Sequence, residues 1–222
     1  MLSGLSGETR IHLIVGDPIG QTKSPAGLTR TFAERGVDAV CIPMQVPVAD
    51  FGAFMAAAKR VQNIDGIVVT VPHKFAAVRH CETLSERARA LGAVNAMRRE
   101  RDGGWGGDMT DGVALLAALR AAGCEPKDSR ALVVGAGGAG SAVVLALAEA
   151  GARVAVHDTD QARRDDLRQR LAPWGVAIGS ADPDGFDLVV NATPLGMRPG
   201  DALPVDSERL EPRAVVADLV TK

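Results

Sequence analysis

The sequence predicts an α/β protein built as two units, each on a mostly parallel sheet. Three observations carry this expectation. Short β-branched runs alternate with helical patterns along the 222-residue chain, the rhythm of parallel strands joined by crossover helices. A glycine-rich loop, Gly135-Ala-Gly-Gly-Ala-Gly140, stands between an apolar strand and an alanine-rich helix. The segment Gly107-Asp-Met-Thr-Asp111-Gly112 interrupts the pattern midway and leaves two stretches of roughly 100 residues, each long enough for its own core.

In chain order, Ile11 to Val15 reads as a strand, Pro25 to Arg35 as a helix and Val40 to Val46 as a strand. Ser24 before Pro25 fits an N-cap with proline in the first turn. Asp50 is an N-cap candidate for a helix reaching Lys59, and Gly66 to Val71 returns to β-branched residues. Cys81 to Ala90 reads as a helix and Val94 to Arg99 as a strand, after which Asp102-Gly103-Gly104 turns the chain back through Trp105. A helix from Val113 to Ala122 ends with Gly123 as its C-cap. The domain boundary is expected near residues 111 to 113, giving a first domain of 1–111 and a second of 112–222. The second continues with strands at Arg130 to Val134, Arg153 to His157, around Val176, Leu188 to Asn191 and Ala214 to Asp218. Its helices follow the glycine loop, to Ala150, and run from Gln161 to Leu171.

Lysine and arginine number 25 against 27 aspartates and glutamates, for a net charge of −2, and both signs are mixed along the chain. No basic block tracks a phosphate backbone, so nucleic acid is not an expected partner. Cys41, Cys81 and Cys124 are scattered and form no C-x-x-C pair, which argues against a disulfide framework or a thiolate zinc site and fits a reducing cytoplasm. The N-terminus lacks the apolar stretch of a signal peptide. The apolar run Ala142 to Ala150 is broken by Glu149 and too short to span a bilayer, so no membrane is expected. The chain has no tyrosine, which removes any mechanism that needs a phenolic proton donor from this chain. His12, His73, His80 and His157 show no ligand spacing, and no metal site is expected.

Gly135, Gly137 and Gly140 satisfy G-x-G-x-x-G between strand and helix, the fingerprint of a Rossmann-type dinucleotide-binding domain. The first glycine permits the tight turn, the second lets backbone amides approach a pyrophosphate, and the third removes a side chain between helix and strand. Gly138 and Ala139 stand in the same turn, where the helix N-terminus faces the phosphates. The next strand ends at His157-Asp158, and a carboxylate roughly 20 residues beyond the loop is placed to accept the ribose hydroxyls. It would repel a 2′-phosphate, so NAD is the expected cofactor. Arg163 and Arg164, a turn further on, keep NADP open as the alternative, although both are equally read as solvated helix-face arginines.

Four segments of the first half put polar residues where loops leave strands, which is where open α/β sheets bind ligands. They are Gly16-Asp-Pro-Ile-Gly-Gln-Thr22-Lys-Ser24-Pro25, Thr70-Val-Pro-His-Lys74, Gly92-Ala-Val-Asn95 and Gly107-Asp-Met-Thr-Asp111-Gly112. Taken singly, Ser24 and Asp111 are equally read as N-caps and Asn95 as a turn residue. Together, and in order with the glycine loop, Asn191-Ala-Thr193-Pro-Leu-Gly-Met197 and Asp218-Leu-Val220, they resemble the shikimate dehydrogenase family, which includes the quinate/shikimate dehydrogenases.

The resemblance covers almost the whole chain and implies an N-terminal substrate domain and a C-terminal nicotinamide domain. It implies reversible hydride transfer between NAD(P) and a secondary hydroxyl of shikimate, quinate or a related cyclic hydroxy acid, within aromatic amino acid biosynthesis. Lys74 and Asp111 match the catalytic pair. Asn95 and Thr70 match substrate-binding residues, and Thr22 with Ser24 match the two hydroxyl residues that hold the substrate carboxylate. The N-A-T-x-x-G-M segment adds Asn191, Thr193 and Met197 to the cofactor-binding candidates Gly135, Gly137, Gly138, Ala139 and Asp158.

The match departs from the family pattern chiefly in the substrate half. Thr22 stands where serine is usual, Val68 and Met109 where asparagine is, and Leu28 and Thr29 where histidine and asparagine are. The family's tyrosine falls at Thr221, and its C-terminal closing helices have no counterpart before Lys222, which leads us to expect exposed apolar surface on the substrate domain. Two other readings therefore stand beside the dehydrogenase: a paralogue acting on another hydroxy acid, and a dinucleotide-binding protein without turnover.

Overall fold

The computed structural model describes residues 4–220. The chain divides between Met109 and Thr110 into two compact units, two residues before the expected boundary, so Asp111 belongs with the second unit rather than closing the first.

The first unit contains β1 (Arg10–Gly16), α1 (Ser24–Glu34), β2 (Ala39–Gln45), α2 (Phe51–Arg60), β3 (Ile64–Val69), α3 (Lys74–Ala77), β4 (Thr83–Leu84), α4 (Glu86–Leu91), β5 (Ala96–Arg99) and β6 (Trp105–Asp108). Its sheet has the order β2-β1-β3-β5-β6-β4. The strand β1 runs parallel to β2 and β3, while β5 is antiparallel to β3 and β6. The carboxyl ends of β1, β3 and β6 and the start of β5 therefore share one end of the sheet. The core is made by Leu13, Ile14 and Val15 of β1, Ile67 and Val69 of β3, and Phe51 and Met55 of α2. Burying each such side chain contributes about 1.5–3 kcal/mol. At the β2 edge Ile42, Met44 and Val48 are exposed, and α1 has no buried residue.

Three local expectations are corrected. The expected helix over Cys81 to Ala90 is a short strand, β4, followed by a helix that starts only at Glu86. Ser85 breaks it, its side chain capping the new helix by accepting the Ala88 amide. Ser24 is the first helical residue of α1, with Lys23 at the cap position and no side-chain cap. Asp111 opens the next helix behind Thr110, whereas Asp50 does hold the N-cap position of α2, though without a side-chain hydrogen bond.

The second unit contains α5 (Asp111–Ala121), β7 (Arg130–Val134), α6 (Gly138–Glu149), β8 (Arg153–His157), α7 (Gln161–Arg170), β9 (Ala177–Ile178), β10 (Leu188–Asn191) and β11 (Val215–Asp218). Every pairing in its sheet, β11-β10-β7-β8-β9, is parallel. The strand β7 is buried from Ala131 to Val134, as a central parallel strand must be, and α6 is buried from Gly140 through Leu147. Gly112 of α5 lies directly against the Ala142 carbonyl, so the two helices meet backbone to backbone. After α5 the chain turns at Gly123, whose φ of +80° places it in the left-handed region. Among the described residues no helix is long and apolar enough to cross a membrane, and no group of His, Cys, Asp or Glu is placed to hold a metal ion.

Candidate active site

In the first unit, backbone hydrogen bonds gather four polar segments at one end of the sheet. The Thr70 amide donates to the Val15 carbonyl, Asp17 to Val71, Val69 to Asn95, Val94 to Lys74 and Asn95 to Asp108. Thr70, Lys74 and Asn95 are thereby brought together with the loop that follows β1. Lys74 is the first residue of α3 and only 9% exposed, and Asn95 is 6% exposed. A buried ammonium and a buried amide at a loop cluster are costly unless they are partnered or used. Gly16 is needed here, because a side chain would collide with the Thr70 methyl group. The Thr22 hydroxyl donates to the Ile19 carbonyl at 2.9 Å, so it must rotate before it can donate to a ligand. Ser24 is exposed at the start of α1.

Two substitutions within the family pattern have structural roles. Met109 is 1% exposed and belongs to the core. Val68 is a half-buried strand residue paired with Ile14 and Ala96.

In the second unit, Gly135 donates its amide to the His157 carbonyl at 2.7 Å with φ at +110°, and its α-carbon packs against the Ala192–Thr193 backbone. A side chain on Gly140 would run into the Gly135 carbonyl, whereas the space beside Gly137 is open. Gly137 caps α6 without a side-chain acceptor, so the first amides of the helix, including Gly138 and Ala139, have no side-chain cap. This cradle fits a pyrophosphate. The Asp158 carboxylate accepts the Ala136 amide at 2.7 Å through one oxygen and the Asp160 amide at 2.9 Å through the other. Lone pairs remain for ribose hydroxyls.

Asn191 is buried and spends its amide group inside the protein. Its nitrogen donates to Leu195 and Asp218, and its oxygen accepts from the Thr193 amide and hydroxyl. Asn191 and Thr193 therefore shape the loop after β10, and Met197 is exposed at its far end. Thr221 lies outside the described residues.

Two groups escaped the sequence reading. His73, 1% exposed, bonds the Val46 carbonyl and stacks on Phe51. Asp108 is gripped by Ser85 and Arg87, and the Arg87 guanidinium holds its carboxyl below the usual carboxylate range. Both depend on partners more than 20 residues away in sequence, which no local pattern signals.

Comparison with known proteins bears on this arrangement. The family model of the shikimate dehydrogenase substrate binding domain matches residues 14–97. The shikimate dehydrogenase (NADP(+)) of Rubrobacter xylanophilus is 38% identical over 224 residues, covering 97% of this chain and 78% of that protein. The chain belongs to the shikimate dehydrogenase family. A shikimate dehydrogenase of Thermus thermophilus, solved in complex with NADP(H) and shikimate, superposes with a TM-score of 0.86 at 30% identity, covering 96% of this chain and 79% of that one. The ligand-free 5-ketofructose reductase of a Gluconobacter strain superposes with a TM-score of 0.81 at 27% identity, covering 96% of this chain and 79% of that one. The shikimate dehydrogenase fold thus also serves a reductase named for a different substrate.

Proposed function

We propose that the chain is an NAD(P)-dependent oxidoreductase that interconverts a secondary alcohol and a ketone on shikimate, quinate or a related cyclic hydroxy acid. The observation that carries this reading is the burial of Lys74 among the converging Thr70, Asn95 and post-β1 segments. Oxidising an alcohol releases one hydride and one proton, and the proton needs an acceptor at the reacting oxygen. Lys74 and Asp111 take that role, accepting the proton in oxidation and returning it in reduction. Asn95 and Thr70 orient ring hydroxyls, and Thr22 and Ser24 hold the carboxylate. The nicotinamide, when bound, accepts or supplies the hydride. The glycine-loop amides hold its phosphates. Three free cysteines suit work in a reducing cytoplasm.

Two observations pull the cofactor in opposite directions. Asp158 at the end of β8 favours NAD by repelling a 2′-phosphate. NADP is favoured by the relatives, which are named for NADP(+), and Arg164, a turn beyond Asp158, is the candidate to meet a 2′-phosphate. The substrate is equally open to a paralogue's choice, given Thr22 and Val68 in place of the family's serine and asparagine.

The test is absorbance at the NAD(P)H band with shikimate and quinate, each with NAD and NADP. Turnover that disappears in Lys74→Ala supports the reading. Dinucleotide binding with no turnover on any cyclic hydroxy acid would instead make the chain a binding protein.

A further inference from the structure

The turn that carries Lys74 inverts the usual placement of polar and apolar side chains. Val71 and Phe75 are 58% and 48% exposed, whereas His73 and Lys74 are buried. The helix α3 has only four residues, too few to be stable by their own hydrogen bonds. The Val94 amide holds the Lys74 carbonyl, the Asp17 amide holds that of Val71, and Ala77 is buried; one further anchor ties the turn to the segment after β2.

His73 supplies that anchor. Its Nε2 lies 2.7 Å from the Val46 carbonyl, which can only accept, so Nε2 carries the hydrogen. The Val46 amide in turn donates to the Gly16 carbonyl at 3.1 Å. The imidazole lies flat on Phe51, with ring centroids 4.3 Å apart and planes 4° from parallel, and His80 meets the same Phe51 edge-on. The backbone of His73 is bonded on both sides, its amide to Thr70 and its carbonyl from Ala77. One side chain thus ties the Lys74 turn to the segment after β2, and through Val46 to the loop after β1 that contains Thr22 and leads into Ser24.

We propose that His73 is a positioning residue for the reaction: by donating to the Val46 carbonyl it fixes where the Lys74 ammonium meets the substrate. The inference rests on the reading that Lys74 handles the proton. A displacement of about 1 Å in such a group costs on the order of 100-fold in rate while barely altering binding made elsewhere.

The experiment is steady-state kinetics of His73→Phe and His73→Gln beside the parent and Lys74→Ala, with folding checked by circular dichroism. Phenylalanine keeps the stacked ring and removes the donor. Glutamine restores a donor with similar reach. The expected result is a kcat lower by about 10- to 100-fold in His73→Phe with substrate KM within about threefold, and recovery in His73→Gln to within about threefold of the parent. An unchanged kcat in folded His73→Phe overturns the proposal, and so does an equal loss in both variants, since the restored donor would then be without effect. If His73→Phe does not fold, His73→Gln decides: near-parental kcat supports the role and a folded but slow variant overturns it. Full turnover in Lys74→Ala would sink the functional reading itself and the positioning role with it, whereas an inactive Lys74→Ala beside a fast His73→Phe removes the positioning role alone.

Discussion

The Asp158 carboxylate accepts the Ala136 amide at 2.7 Å, so the group we propose for the ribose also fixes the glycine loop. The two roles separate by substitution. Asp158→Asn keeps an oxygen for Ala136 and removes the charge. It is expected to raise kcat/KM for NADP relative to NAD by about tenfold, or ~1.4 kcal/mol. Asp158→Ala loses the loop contact as well and should weaken both cofactors. An unmodified protein that already binds NADP more tightly than NAD, as measured by fluorescence titration, would show that Arg164 outweighs Asp158. Arg164→Gln should then cost NADP selectively.

The glycines of the loop differ in what surrounds them. Gly137 has open space around it, so Gly137→Ala is expected to leave the melting temperature nearly unchanged while its methyl group crowds the place we propose for a phosphate. Cofactor KM should rise by about tenfold. Gly140 lies against the Gly135 carbonyl, and Gly140→Ala must push α6 away from β7, destabilising the unit by about 1–3 kcal/mol or more. Thermal melts with cofactor titrations distinguish the two. Equal destabilisation in both variants would contradict this account.

Arg99 clamps the end of α2 to the strands beside it. Its guanidinium donates to the carbonyls of Ala58, Lys59, Val61, Ile64 and Gly103 and lies 4.4 Å from the centre of the Trp105 ring. Ala58 and Lys59 lie in the last turn of α2 and Val61 just beyond it, where carbonyls run short of helical partners. Lysine cannot reproduce this planar fork, so Arg99→Lys is expected to cost about 2–4 kcal/mol in urea unfolding, with kcat unchanged in the folded fraction.

What was legible in the sequence depended on how local the signal was. The strand β7, the glycine loop and α6 were legible because an apolar run, the glycine spacing and small helix residues lie within 20 residues of one another. The convergence of Thr70, Lys74 and Asn95 was legible because each sits where a strand ends or begins, and alternating strands fix those ends in space. The helix α3 was not, because four residues show no period. The break at Ser85 was hidden by the helix-forming residues around it, and only its cap reveals the late start at Glu86. His73 was invisible because its partners, Val46 after β2 and Phe51 at the start of α2, lie more than 20 residues earlier in the chain, while its apolar neighbours Val71 and Phe75 are exposed.

The pairing of Arg87 with Asp108 gives a pH-dependent prediction. Arg87, and after it Ser85 and the Met109 amide, hold the Asp108 carboxyl below its ordinary value of 3.8. A group whose pKa is depressed by folding adds stability that is fully present above that ordinary value and is lost as pH falls through the lower, folded one. Removing the partner in Arg87→Leu should therefore destabilise the protein at pH 7 and make progressively less difference below about pH 4. The pair is about one-third exposed, 37% for Arg87 and 32% for Asp108, so solvent screening limits the loss to about 1 kcal/mol. Urea unfolding of both proteins at pH 7 and at the lowest pH where both remain folded measures the difference. A gap that stays constant or widens toward acid would mean that Arg87 acts by packing and not by charge.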